Sequence, residues 1–206
     1  MDPSLLVSAL LTTMGTLFVA ELTDKDALFL LSLATKTKAV VVFAAGSVAF
    51  TITTGIIVLV GSALLTVVPV LWIKVVGGTI MIAYALWEYT RPPVGGPELE
   101  KREGKVLGRL GGGQWSVFFP AVVALVTLDL AGDATELLTI VLLARFDDIL
   151  VVFAGAVIGL VAATAVETAL GNRLGRLLSP KRIKYISVAV LLIIGSAIVV
   201  TSLLNF

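Results

Sequence analysis

The chain has 206 residues, of which 58% are hydrophobic and 14% are charged, and its formal net charge is +1. Apolar runs long enough to cross a bilayer, roughly 20 residues each, recur along its whole length and indicate an integral membrane protein. Because it contains neither Cys nor His, disulfides, thiolate or imidazole metal ligands and Cys or His catalysis are excluded, which leaves oxygen ligands for any metal.

Six membrane spans are predicted from the apolar runs and from the Gly, Pro and charged breaks between them. In chain order they cover residues 4–34, 39–66, 69–90, 115–145, 148–171 and 182–204. The first and the fourth span are longer than a bilayer requires, and both carry acidic residues near their middle. We therefore expect a tilt or a local break at those acids.

The only long predicted loop is rich in Gly, Pro and charge and separates two halves of the chain. The predicted organisation is a first three-helix repeat, a cytosolic linker and a second three-helix repeat, at residues 1–90, 91–114 and 115–206. Aligning the halves places Asp24 on Asp133 and Gly46 on Gly155. Two copies of an odd number of spans insert with opposite orientations, as in many secondary transporters. The predicted fold class is an all-α integral membrane protein with six transmembrane helices in two inverted three-helix repeats.

The distribution of basic residues predicts the orientation in the membrane. Most of the 15 lysines and arginines fall in the segments after spans one, three and five, whereas the opposite side has only Lys74 and Arg145. Positively charged loops mark the cytosolic side. Both termini are therefore expected on the non-cytosolic side.

The first span contains the unusual stretch VAELTDKDALFLL. On a continuous helix Glu21, Asp24 and Lys25 share one face, and Asp26 points elsewhere unless the helix unwinds. Lys25 either serves as an internal counter-ion for these acids or extends its long side chain to water. Asp26 is either part of the proton-coupling group or a helix-packing residue.

The fourth span carries a second acidic group. Asp129, Asp133 and Glu136 follow an i, i+4, i+7 spacing, which places them on one face of a continuous helix. Six buried carboxylates meeting at one depth would repel one another unless a cation or protons were bound. This pattern is typical of cation/proton exchange. Structural ion pairing is the alternative, but one lysine cannot balance six acids.

Polar residues on other spans are candidates for lining a pathway. Ser47 and Thr51 lie one turn apart on the second span, Thr135 adjoins the second acidic group, and Glu167 lies near the inner end of the fifth span. Ser and Thr also serve as helix-packing residues in membranes. Glu167 either lines the cytosolic mouth or faces lipid headgroups.

These residues resemble the Gdt-type cation/proton exchangers, which include Golgi, chloroplast and bacterial transporters of Mn²⁺ and Ca²⁺. Their signature, E-x-G-D-[KR]-[ST], occurs in the first helix of each half. Here the first copy reads ELTDKD and the second reads LAGDAT. The first retains Glu21, Asp24 and Lys25, and the second retains Gly132, Asp133 and Thr135. The resemblance implies exchange of Mn²⁺ or Ca²⁺ for protons, and the acid cluster independently indicates a site for a hard cation. The expected metal ligands are Glu21, Asp24, Asp129, Asp133 and Glu136.

Both copies depart from the signature, at Thr23, Asp26, Leu130 and Ala134. Asp129 lies one residue before the missing acid, about 100° round a helix, so it cannot simply replace that acid. Glu136 follows the second motif directly.

The predicted function is exchange of Mn²⁺ or Ca²⁺ for protons, with no enzymatic activity and no cofactor apart from the transported ion. Mg²⁺ holds its water more tightly, so direct carboxylate ligation suits Ca²⁺ or Mn²⁺ better. The alternatives are export of another cation or a small solute, an assembly role without flux, and an intramembrane aspartyl protease with an Asp24–Asp133 dyad. The expected partners are the divalent ion, protons and the bilayer. No nucleic-acid partner and no particular oligomeric state are predicted.

Overall fold

The computed structural model describes residues 3–22, 24–91, 101, 104, 106, 115–130, 134–177 and 180–204, without the side chains of residues 25, 115, 134, 171–177, 180 and 183. Within this part of the chain every regular element is an α-helix. The long helices are α1 (Pro3–Leu22), α2 (Lys25–Lys36), α3 (Ala39–Val67), α4 (Val70–Thr90), α5 (Trp115–Asp129), α6 (Ala134–Phe146), α7 (Ile149–Leu177) and α8 (Pro180–Leu204).

Five of the described helices are long and apolar enough to cross a membrane, which confirms an all-α membrane protein. They are the segments Pro3–Leu22, Ala39–Val67, Val70–Thr90, Ile149–Leu170 and Lys184–Leu204. A shorter apolar helix covers Ser116–Asp129. The arrangement of six spans in two inverted repeats remains a prediction. So does the predicted linker, most of which lies outside the described residues.

The first and the fourth predicted span are each divided into two helices. Helix α1 ends at Leu22 and α2 begins at Lys25, whereas α5 ends at Asp129 and α6 begins at Ala134. The expected break therefore coincides with the acidic stretch of the first span. In the fourth span the helices end and begin on either side of residues 130–133, of which 131–133 lie outside the described part.

Helices from one half of the chain pack against helices from the other half. Helix α1 lies along α7, and α5 lies along α3, so the broken helix of each half packs on the second helix of the other half. Helices α3 and α7 also pack on each other. Both helix ends that carry acids therefore lie beside the α3–α7 pair.

Glycines allow the closest of these approaches. A Cβ atom on Gly159 would overlap the Met14 carbonyl oxygen, and one on Gly155 would lie 2.9 Å from the Leu10 carbonyl oxygen. Helices in membranes associate by such backbone proximity because lipid provides no hydrophobic drive between them. The Gly155–Gly159 face therefore holds α7 against α1.

Helices α4 and α8 form a second close pair. A Cβ atom on Gly78 would lie 3.0 Å from the Gly195 carbonyl oxygen, and one on Gly195 would lie 2.9 Å from the Gly78 carbonyl oxygen. Near the end of this pair, the buried Lys184 ammonium donates hydrogen bonds to the Tyr89 carbonyl, at 2.9 Å, and to the Arg91 carbonyl. A cation at the carbonyl end of α4 is favoured by the helix dipole.

Candidate cation-binding site

The break between α1 and α2 holds three buried acids. Glu21 lies in the last turn of α1, Asp24 immediately precedes α2, and Asp26 lies in the first turn of α2. Their exposed fractions are 1%, 7% and 1%. Asp is favoured immediately before a helix, and the N-terminal dipole of α2 stabilises nearby negative charge. The interruption thus lets Asp26 act electrostatically on Glu21 together with Asp24, whereas on a continuous helix Asp26 would point to another side.

Helix α7 contributes a fourth acid to this break. Glu167 is only 1% exposed, and neither of its carboxylate oxygens has a hydrogen-bond partner among the described residues. Asp26 is a charged neighbour of its carboxylate. One carboxylate oxygen of Glu21 is also buried without a hydrogen-bond partner in the described part. Oxygens left in this condition are costly in a low-dielectric interior and are suited to receive a proton or a cation.

Acids from both helix breaks act electrostatically on Glu21. The charged groups that act on its carboxylate are Glu167, Asp24, Asp129 and Asp26. Asp129 belongs to the end of α5, in the other half of the chain. Buried like charges this close cannot all remain ionised without compensation. The acids of both halves therefore form one electrostatically linked group.

The break between α5 and α6 borders a small cavity of about 10 Å³. The polar residues that line it are Asp129, Glu136, Thr53, Thr54, Thr135 and Thr139. A volume near 10 Å³ is about that of one water-sized sphere. Carboxylate and hydroxyl oxygens are hard ligands of the kind that Ca²⁺ and Mn²⁺ accept.

Two of the threonines that line this cavity have hydroxyls oriented by their own helices. Thr139 donates its hydroxyl proton to the Thr135 carbonyl at 2.7 Å, and Thr53 donates to the Ala49 carbonyl at 3.2 Å. Because the proton of each hydroxyl is engaged by the backbone, its lone pairs remain available to accept a cation or a water molecule. The cavity wall is therefore rich in acceptors.

No group of three acidic side chains among the described residues is close enough to hold a metal ion by itself. Asp133 lies outside the described residues, as does the side chain of Lys25, so their predicted roles remain predictions. The described acids form one group at the first break and a second at the cavity, linked through Glu21 and Asp129.

Two geometric expectations from the sequence are wrong. Glu21, Asp24 and Lys25 do not share a face of one helix, because α1 ends before Asp24 and α2 begins at Lys25. Likewise Asp129 and Glu136 belong to different helices, so the regular i, i+7 relation does not apply to them. Asp26, expected to point away on an unbroken helix, is buried and acts electrostatically on Glu21 and Glu167.

The hydroxyls of α3 that border the cavity differ from those favoured by the sequence. Thr51 is exposed, and its hydroxyl donates to the Ser47 carbonyl at 2.6 Å. The cavity is bordered instead by Thr53 and Thr54. Thr139 was missed altogether, although its position one turn after Thr135 was a usable signal. The sequence allowed Glu167 either to line the cytosolic mouth or to face lipid headgroups. In the structure it lies beside the other acids and is buried.

A protein-family profile described as Divalent cation/proton antiporter GDT1 matches residues 9–91 and 117–205. The chain belongs to the GDT1 family. This confirms the resemblance found in the sequence, and the match spans both halves with their helix breaks. Comparisons with curated proteins and with solved structures gave no match.

Membership of the GDT1 family establishes the general activity of the chain. The family is one of membrane transporters that exchange a divalent cation for protons. It is a transporter family, in agreement with the expectation that this GDT1 protein is not an enzyme. The protease alternative has no support from the match.

Proposed function

We propose that this GDT1 protein exchanges Mn²⁺ or Ca²⁺ for protons at the carboxylates beside its two helix breaks. The observation that carries this proposal is the electrostatic linkage of Glu21 to acids from both halves, including Glu167 and Asp129. A dication would offset the repulsion within this group, and protons would do so when the cation leaves. Binding of the two substrates is then mutually exclusive.

The residues divide between two roles in this scheme. We assign direct cation ligation to Glu21, Asp24, Asp129, Asp133 and Glu136. Asp26, Lys25 and Glu167 adjust the charge of the site, and Thr135 lines the approach to it. A site that replaces hydration water with carboxylates favours Ca²⁺ and Mn²⁺ over Mg²⁺, which dehydrates reluctantly.

We further infer that the chain crosses the membrane six times, as two inverted repeats with both termini on the non-cytosolic side. Each half would then begin with a discontinuous helix, α1–α2 in the first half and α5–α6 in the second. Discontinuous helices meeting near the midplane are a recurrent way to build ion sites in secondary transporters. The reciprocal packing of α1 on α7 and of α5 on α3 supports this interpretation.

The test is uptake of Mn²⁺ and Ca²⁺ into proteoliposomes that contain the purified protein and carry an imposed pH gradient. We expect uptake of at least one ion, driven by an acidic interior and slowed when a protonophore collapses the gradient. Uptake that is unaffected by the gradient would contradict exchange. Absence of uptake of both ions, with transport of K⁺ or another solute instead, would favour the alternative cargo.

A further inference from the structure

A larger cavity lies at the end of the bundle where α3 and α6 end and α7 begins. Its volume is about 400 Å³, and its polar lining comes from Ser62, Thr66, Asp147 and Asp148. Asp148 also accepts a hydrogen bond from the Val151 amide at 3.0 Å and so stabilises the start of α7. Acidic groups around a cavity with low-dielectric walls raise the local concentration of cations.

The same two helices, α3 and α6, border both this cavity and the small cavity at the second break. Thr54 and Thr139 line the small cavity, whereas Ser62 and Leu143 line the large one. Along α6 the separation is about one helical turn, and along α3 it is about two turns. The two cavities therefore lie one above the other along one helix–helix contact.

A thin apolar layer separates the two cavities. A Cβ atom on the buried Gly61 of α3 would lie 3.2 Å from Leu143 Cδ2 and 3.4 Å from Ile140 Cγ1, both on α6. The absence of a side chain at position 61 lets α6 press these two apolar side chains directly against α3. Apolar constrictions of this kind exclude hydrated ions until the helices separate.

We propose that the contact between α3 and α6 is the cation's route to the carboxylates, with Gly61, Ile140 and Leu143 as its gate. The inference rests on the function proposed above and specifies the path that this function requires. In the described conformation the gate is closed. A small outward displacement of α6 from α3 would join the cavities and expose Asp129 and Glu136 to cations gathered near Asp147 and Asp148.

The first test uses the absence of cysteine from the chain. Single Ser62→Cys, Thr54→Cys and Leu59→Cys variants are reconstituted and treated with a charged methanethiosulfonate reagent on both sides of the membrane. We expect rapid labelling at position 62 and slow labelling at position 54. Position 59 is the control: it lies on the outer face of the same helix, where lipid should exclude the charged reagent, so almost no labelling is expected. Adding Leu143→Ala should accelerate labelling at position 54 several-fold, and adding Gly61→Ala should slow it.

The second test measures flux. Gly61→Ala should slow cation uptake several-fold, because the new methyl group meets Leu143 and Ile140. The matched control is Gly55→Ala on the same helix, where the nearest atom, Phe153 Cε2, is at an ordinary 3.8 Å. Combining Gly61→Ala with Leu143→Ala should restore flux. Leu143→Val is the milder partner if the alanine variant does not fold.

Two outcomes would overturn the gate: labelling at position 54 that responds to neither Gly61→Ala nor a Leu143 variant, or equal flux in the Gly61→Ala and Gly55→Ala proteins. Labelling does not require transport of any particular ion. If wild type moves neither Mn²⁺ nor Ca²⁺ while labelling follows the expected order, the proposed function fails and the route stands. If the wild-type protein exchanges cations but the labelling rate at position 54 does not change in the Gly61 and Leu143 variants, only the proposed route is wrong.

Discussion

Glu167 carries a carboxylate into the interior of a membrane protein, where a charged group costs on the order of 3 kcal/mol or more. Neither of its oxygens has a hydrogen-bond partner among the described residues, and Asp26 is a close charged neighbour. A residue that only packed α7 against α2 would not need an ionisable group. The position of this carboxylate is explained if it takes part in the exchange of protons for a cation.

Glu167→Gln preserves the size of the side chain and removes its ionisable group. We expect it to reduce cation/proton exchange at least as severely as Asp24→Asn, which removes a proposed ligand at the helix break. Glu88→Gln, in the last turn of α4, serves as the matched control and should retain most of the wild-type flux. The measurement is initial Mn²⁺ or Ca²⁺ uptake at equal protein density. Wild-type flux in both acid variants would locate the site elsewhere.

Replacing Lys25 distinguishes two explanations of how charge is balanced at the first break. If its ammonium neutralises the vacant site, Lys25→Met should increase proton binding by the neighbouring acids and change the pH dependence of cation affinity. In wild type we expect affinity to weaken as pH falls, because protons compete with the cation for the same oxygens. Cation binding to detergent-solubilised protein across mildly acidic to mildly alkaline pH tests both points. A mutant profile identical to that of wild type would show that Lys25 only extends to water.

The sequence was sufficient to identify the acids but not their arrangement. A dense group of charges in an apolar run is unambiguous, so Glu21, Asp24, Asp26 and Asp129 could be selected without a structure. Which acids approach one another depends on where the helix stops, and a 3.6-residue periodicity assumes that it continues. On an unbroken helix Asp26 would point away from Glu21, whereas the break lets it act electrostatically on Glu21 and Glu167. The position of Thr139 in the cavity lining was missed because threonines are also common at helix contacts in membranes.

At the scale of elements, the break in the first span is a consequence of the same acids. Asp is a poor residue for a helix interior and a good one immediately before a helix, so ELTDKD favours ending one helix and starting another. The new helix N-terminus then stabilises the carboxylates beside it. For this reason the existence of the break was predictable, whereas the helix contacts around it depend on the rest of the molecule.

The contact between α1 and α7 gives a test of the packing. Gly159→Ala places a methyl group on the Met14 carbonyl oxygen, so we expect a loss of roughly 1–3 kcal/mol from overpacking. Gly15→Ala on α1 is the control, because no atom lies within 4 Å of its added Cβ. That change should be neutral or stabilising, since alanine is favoured over glycine within helices. Thermal unfolding in detergent measures both, and a Gly159→Ala midpoint equal to that of Gly15→Ala would contradict the close approach.

At the scale of the whole molecule, the two halves depend on each other. The long described helices were located from the sequence because their apolar lengths match a bilayer. Their pairing could not be read from those lengths, because the exposed faces of all of them are similarly apolar. The structure shows that each broken helix packs against the other half. The site that we propose at both breaks would therefore require the assembled halves, and cation binding would depend on their relative position.

An antiporter of this family couples the movements of a divalent cation and protons in opposite directions. The most direct measurement is the internal pH of proteoliposomes after Mn²⁺ or Ca²⁺ is added outside, with no initial pH gradient and with the membrane potential clamped. We expect the interior to become alkaline as the cation enters, and we expect this response to be lost in Glu167→Gln and retained in Glu88→Gln. Cation entry without a change of internal pH in the wild-type protein would contradict exchange.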